Sequence, residues 1–196
     1  MELLIALVPM VAWGSIALVS GKMGGSANQQ TLGMTIGALL FSLVVFFVMQ
    51  PTMSTAVIVF GFFSGLFWSI GQKGQFQGMH YMGFSVGLPL STGMKLFLNT
   101  IAGAVLFGEW RKGGDFLLGG IALALLVLGS YYTSRRDPDR MKNLPEDQKM
   151  FDFGKGSRAL LISTLGYGVY TIIITWANLD PAAVILPQSV GMVVGA

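Results

Sequence analysis

The chain has 196 residues, 53% of them hydrophobic and 11% charged, with a net charge of +3 and a mean hydropathy of +0.67. Soluble domains carry about 25% charged residues, so this composition excludes an ordinary water-soluble fold and places the chain in the membrane class. It has no cysteine and one histidine, which excludes disulfide frameworks, thiolate chemistry and Cys- or His-based metal sites, and its positive charge is gathered in one loop rather than spread as a nucleic-acid surface.

Seven charge-poor apolar runs come near the 20 residues needed to cross about 30 Å of hydrocarbon: roughly 3–20, 32–49, 53–71, 79–107, 116–133, 159–176 and 182–196. The first lacks a basic flank and a small-residue cleavage site, so it reads as a retained span and not a removable signal. Gln50, Pro51 and Thr52 alone separate the second and third runs, which forces an antiparallel hairpin. Gln72, Lys73, Gln75 and Gln77 form a polar strip between the third and fourth, read as a solvated turn from which Gln72 could reach inward. The fourth run carries Pro89 and, unusually for a span, Lys95. Ser91, Lys95 and Asn99 recur at i, i+4 and i+8, one polar stripe about 12 Å long.

From 134 to 158 the composition switches to seven basic and five acidic residues with two prolines, a solvent-exposed linker. Lys22, Lys73 and the linker's basic residues fall on one side of the membrane, and Arg111 and Lys112 on the other. The positive-inside bias therefore puts the linker in the cytoplasm and the amino terminus outside. Beyond the linker, LGYGVY at 165–170 echoes VAWGSI at 11–16, and GMVVGA at 191–196 echoes GMTIGA at 33–38, in the same order and at offsets of 154 and 158. Five spans precede the second copy, so it would enter the membrane with opposite orientation. The expected fold is an all-α integral membrane protein. Residues 1–133 form a first five-helix repeat, 134–158 a linker, and 159–196 the start of an inverted second repeat. On this reading the chain is truncated after about seven spans and lacks roughly three further helices.

The stretches VPMVAWGSIALVSGKMGG at 8–25, GLFWSIGQKGQFQGMHYMGFSVGLPLSTGMKLFLNT at 65–100 and LFGEW at 106–110 resemble the glucose/ribose porter family of bacterial sugar uptake proteins, within the drug/metabolite transporter superfamily. The resemblance covers essentially the whole chain. It implies a ten-helix, proton-linked sugar importer of the cell membrane with a central cavity, glucose or ribose as substrate, and no cofactor beyond the coupling proton. The superfamily is often drawn with both termini cytoplasmic, opposite to the charge count. Self-association in the bilayer stays open.

A sugar needs hydrogen-bonding groups for its hydroxyls and an aromatic face for its C–H surface. Ser91, Lys95 and Asn99 could supply the first, and Trp13 the second. Gln72, and Gln188 beside Pro187, are further candidates. Each also has a plainer reading: Lys95 could snorkel or pair with a helix carbonyl, Asn99 could bind helices together, and Trp13 could be packing. A lysine at mid-span costs roughly 2.5 to 3.5 kcal/mol, and its depth argues against snorkelling. Pro9 and Pro89 are expected to break their helices and mark the cavity wall between spans one and four. Proton coupling would fall to Lys95, Glu109 or His80, although Glu109 and His80 lie at span ends, where caps and interfacial groups are common.

Three other readings compete, one of them a purely structural membrane subunit, in which Lys95 would serve no transport role. An exporter of amphipathic metabolites or drugs would share the architecture but show a more apolar cavity. A membrane enzyme finds no support, because paired intramembrane acids and the nucleotide-loop patterns are absent.

Overall fold

A computed structural model of the chain describes residues 2–135 and 152–196, and every regular element among them is a helix: α1 (Glu2–Met23), α2 (Ala27–Met49), α3 (Thr55–Met82), α4 (Phe84–Leu106), α5 (Gly113–Thr133), α6 (Phe153–Ala177) and α7 (Pro181–Gly195). Most of the charged linker, 136–151, lies outside the described residues. Four of these helices, α2, α3, α5 and α6, are long and apolar enough to cross a bilayer. α4 has the 23 residues of α2, but Lys95 and Asn99 dilute its hydropathy.

Local chemistry sets the helix ends. Ser26 caps α2 in a capping box with Gln29, Ser54 caps α3, and Asp180 accepts from the backbone of Ala182 and Ala183 at the start of α7. The hairpin expected at residues 50–52 is present, with Gln50 in the left-handed region at φ 43° as the cap of α2. Asp152 caps α6 through the Lys155 amide, and that backbone N–H holds its carboxyl below the usual carboxylate range. Residues 153–158, read from the sequence as linker, are therefore the opening turns of α6.

Two further expectations are corrected. The polar strip at 72–77 is not a turn: α3 runs unbroken through it to Met82, and the chain reverses at Gly83, whose φ of 76° suits glycine. A turn at 72–77 would leave backbone groups unpaired at membrane depth, whereas the helix pairs them internally and the side chains find partners on neighbouring helices. The fourth run is thereby shortened from 79–107 to Phe84–Leu106. The prolines do not break their helices either. α1 continues through Pro9 and α4 through Pro89. Both lie in the first half of their helix, where the missing N–H removes a single early bond.

α3 is the central element, flanked by α6 and α7 and crossed by α2 and α4. Its glycines make this approach possible. Gly71, Gly74 and Gly78 form one face against α6, where a β-carbon on Gly74 would stand 2.8 Å from the Ala159 carbonyl. Gly61 and Gly65 face α7, and a β-carbon on Gly65 would collide with the Gln188 carbonyl. The partners reciprocate: Gly166 sits on the Gly71 backbone and Gly191 on the Phe62 carbonyl. Small residues that bring backbones together are the main resource of helices in lipid, where apolar burial gives no net drive. Buried hydroxyls complete the joint. Ser163 donates to Gly71 O at 2.6 Å, Ser69 to Met192 O at 2.5 Å, and Ser42 pairs with Ser189 at 2.7 Å between α2 and α7.

These contacts fix helix directions. Phe60 meets Trp176 while the Asp152 amide donates to Tyr81 O, so α6 runs antiparallel to α3. Gly61 meets Pro187 and Ser69 meets Met192, so α7 runs parallel to α3. Among the described residues, α5 packs mainly on α4 and buries none of its own residues.

The glycine faces make a direct prediction. Gly65→Ala or Gly191→Ala should lower the melting temperature of the detergent-purified chain sharply, because overpacking against fixed backbone costs about 1–3 kcal/mol or more. Gly33→Ala, where nothing lies within 4 Å, should be neutral or slightly stabilising. Equal melting of the three variants would contradict the packing.

Candidate functional site

Four side chains on α3, Ser64, Trp68, Gln72 and Gln75, recur at i, i+4, i+8 and i+11 and trace a polar seam about 16 Å long. Gln72 and Gln75 are buried, and both amides meet Tyr167 of α6. The Tyr167 hydroxyl lies within hydrogen-bonding reach of Gln72 Oε1 and, at 3.1 Å, of Gln75 Oε1. Lys95 Nζ of α4 donates to Gln75 Oε1 at 3.1 Å, which leaves the single tyrosine proton for Gln72.

Lys95 is thus turned into the protein. Its ammonium also stands 4.5 Å from the centroid of the Tyr167 ring. A charge-assisted hydrogen bond contributes about 1.5–3 kcal/mol, and a desolvated cation–π contact about 2 kcal/mol. Together they offset the roughly 2.5 to 3.5 kcal/mol cost of a lysine at mid-membrane, so the charge is held without snorkelling.

The seam continues toward α7. Trp68 stands edge-on to Tyr167 with ring centroids 6.1 Å apart. One turn further along α3, Ser64 Oγ accepts from Gln188 Nε2 at 3.2 Å, and Gln188 also pairs with Tyr170 of α6. The arrangement offers amide donors and acceptors, hydroxyls, one ammonium and an aromatic edge in a single strip inside the membrane. That set can replace the hydration of a polar, uncharged molecule.

The structure joins some of the residues expected from the sequence and separates others. Gln72, Lys95 and Gln188 lie on the seam. Ser91 is fully buried one turn before Lys95, its hydroxyl without a partner among the described residues, and Asn99 is half-buried one turn after it. Trp13 is 57% exposed on α1 and does not reach the seam. His80 is exposed near the end of α3, and Glu109 is exposed beyond α4 with its carboxylate against Gly103. Tyr167, Trp68, Gln75, Ser64 and Tyr170 are additions that sequence reasoning missed, although the i, i+4, i+8, i+11 spacing on α3 was visible. Lys73, expected in the turn, instead lies half-buried inside α3, about 13 Å before its end.

One well-formed hollow lies away from the α1–α4 wall expected from the sequence. It is a cavity of about 660 Å³ between α4, α5 and α6, walled by side chains such as Leu90, Phe97, Leu126 and Leu165. Lys95 belongs to the opposite side of α4, so this apolar hollow and the polar seam are separate features.

Bilayer-length apolar helices, with exposed apolar side chains around them and a polar seam within, define a multi-pass membrane protein. The chain belongs to the family described as "Sugar transport protein", whose model matches residues 4–196. It is 67% identical, over its whole length, to a "Putative sugar uptake protein" of Enterococcus faecalis, and 47% identical, again over its whole length, to one of Lactiplantibacillus plantarum. It is 48% identical over 98% of its length to another of Lactococcus lactis. The chain spans 68%, 67% and 66% of these relatives, about two thirds of each. No solved structure matches it.

The network predicts graded losses. Tyr167→Phe keeps the ring beneath Lys95 but strands the buried Gln72 amide oxygen, and should lower stability by about 1–3 kcal/mol. Tyr167→Leu also removes the ring and should cost more, by about 2 kcal/mol. Thermal unfolding in detergent measures both, and a Tyr167→Phe chain that melts like the wild type would refute the hydroxyl pairing.

Proposed function

We propose that this chain serves sugar uptake across the cell membrane, with the seam between α3, α4, α6 and α7 as the surface that binds the sugar. The Lys95–Gln75–Tyr167–Gln72 network carries this reading. It concentrates donors and acceptors at membrane depth, where unmatched polar groups are costly and are kept for function. Sugar hydroxyls both donate and accept, and the amides of Gln72, Gln75 and Gln188 can answer both roles, while Lys95 only donates. Trp68 and Tyr167 supply the aromatic surface for the C–H face of a pyranose or furanose. Glucose and ribose fit this chemistry, and Ser91 and Asn99 extend it along α4. Trp13, exposed on α1, would join these contacts only from outside the seam as it stands in this structure.

The same proposal carries the family-level detail of proton linkage and an inverted five-helix repeat. Helix geometry supports the repeat. α6 and α7 are joined through residues 178–180, as α1 and α2 are through 24–26, and the caps Ser26 and Asp180 are 154 positions apart, the offset of the first sequence echo. α2 and α7 pack antiparallel, as inversion requires. Proton coupling would act through Lys95, the proposed coupling charge that touches the seam, and would not need Glu109 or His80 to reach the sugar. An exporter of amphipathic compounds is disfavoured by the amide and hydroxyl content of the seam.

Counterflow into vesicles containing the chain and preloaded with unlabelled sugar tests the proposal. Labelled glucose or ribose should accumulate transiently, and an inward proton gradient should accelerate net uptake. Lys95→Leu should reduce exchange by at least about tenfold, the loss expected for one charge-assisted hydrogen bond, while the variant elutes as a folded species. Full exchange by folded Lys95→Leu would remove the lysine from the mechanism. Absence of exchange of either sugar by the wild-type chain would overturn the transport reading.

A further inference from the structure

The hollow between α4, α5 and α6 has a chemistry unlike the seam. Its walls are apolar, and its mouth is formed by Tyr131, Ser134 and Arg135 at the end of α5 and Phe153 at the start of α6. Arg135 is held over that mouth by its contact with the Tyr131 ring, 5.0 Å to the centroid. The buried Ser134 hydroxyl has no hydrogen-bond partner among the described residues. Arg158 is exposed on α6, one turn before Leu161 and on the stripe that continues to Leu165, both of which line the hollow.

Its dimensions match one leaflet. From Arg135 down to Leu126, and from Phe153 to Leu165, the hollow runs about 13 to 18 Å along the helices, against roughly 15 Å for half a hydrocarbon core. The opening persists because α5 is attached through α4 and does not close onto α6. The mouth lies at the membrane boundary where the basic linker begins. Tyr131 and Tyr132 there are placed as interfacial aromatics.

A sugar is a poor occupant, because the walls offer few hydrogen-bonding groups. An acyl chain satisfies them, and among the described residues the polar groups lining the mouth are two hydroxyls and a guanidinium, which suit a phosphate. We propose that this groove is a binding site for one anionic phospholipid, an acyl chain between α4, α5 and α6 and the phosphate on Arg135, with Ser134 donating and Arg158 at the rim. Arginine suits the task because its planar fork matches phosphate oxygens. The inference is independent of the sugar reading, since no seam residue takes part.

A tryptophan reporter introduced by Leu165→Trp, at a position already 62% exposed, tests this in nanodiscs. Phosphatidylglycerol with brominated acyl chains should quench the added fluorescence at a lower mole fraction than brominated phosphatidylcholine. Each arginine near the surface is expected to contribute about a fivefold preference. Adding Arg135→Gln and Arg158→Gln should abolish the difference, whereas Lys22→Gln, on the same side of the membrane but on α1, should leave it intact. Equal quenching by the two lipids, or a preference that survives loss of both arginines, would overturn the proposal. So would a reporter shielded from both lipids in a chain that elutes as a dimer, which would make a second copy the occupant.

Discussion

The close approach of the α3 backbone to α6 and α7 is the constraint on which the rest depends. In a bilayer, two apolar helices gain nothing by burying leucine against leucine, so they stay together only where backbones come near enough for dispersion and for hydroxyl-to-carbonyl bonds. Glycines on two faces of α3, answered by Gly166 and Gly191 on its partners, provide that proximity. Once it exists, Ser163 and Ser69 can reach across to carbonyls, and Tyr167 is brought over Gln72 and Gln75. The polar seam is thus a consequence of how small the neighbouring residues are.

Within the seam, polar groups are held by one another. Lys95 loses its hydration at mid-membrane and recovers it in fixed form, an amide oxygen on one side and an aromatic face on the other. Gln75 Oε1 accepts from the Lys95 ammonium and stands beside the Tyr167 hydroxyl, whose proton goes to Gln72, so a movement of α4 relative to α3 and α6 changes the pairing of three helices together. α4 is also the helix that separates the polar seam from the apolar hollow. One side of it carries the polar stripe toward α3 and α6, and another forms the apolar wall facing α5. The same helix therefore presents a polar face on one side and an apolar face on another.

Much of this architecture was legible in the residues. Length and hydropathy located α2, α5 and α7 to within a few positions, and Gln50-Pro51-Thr52 announced the first hairpin. Lys95 stood out because a charge inside an apolar run must have a reason. The reading failed at 72–77, where a dense polar strip looked like a solvated turn. Four polar side chains in six residues are indistinguishable from a loop until their partners on α6 and α4 are in place. The glycines at 71, 74 and 78 were the available signal, because their spacing marks a helix face prepared for close contact. Trp13 was singled out by its place midway along the first span, but depth alone does not tell which way a ring points.

By itself, the sequence determined the solvent and the elements. Apolar runs of bilayer length can satisfy their backbone only as helices, so composition and spacing sufficed for an all-helical membrane chain with a charged side chain at depth. Only the tertiary structure decided which polar groups share a site, because Gln72 and Tyr167, or Lys95 and Gln75, are distant in the chain and meet through helix directions and glycine contacts that no local pattern encodes. The same holds for the apolar groove, which exists because α5 leans on α4 and leaves α6 uncovered.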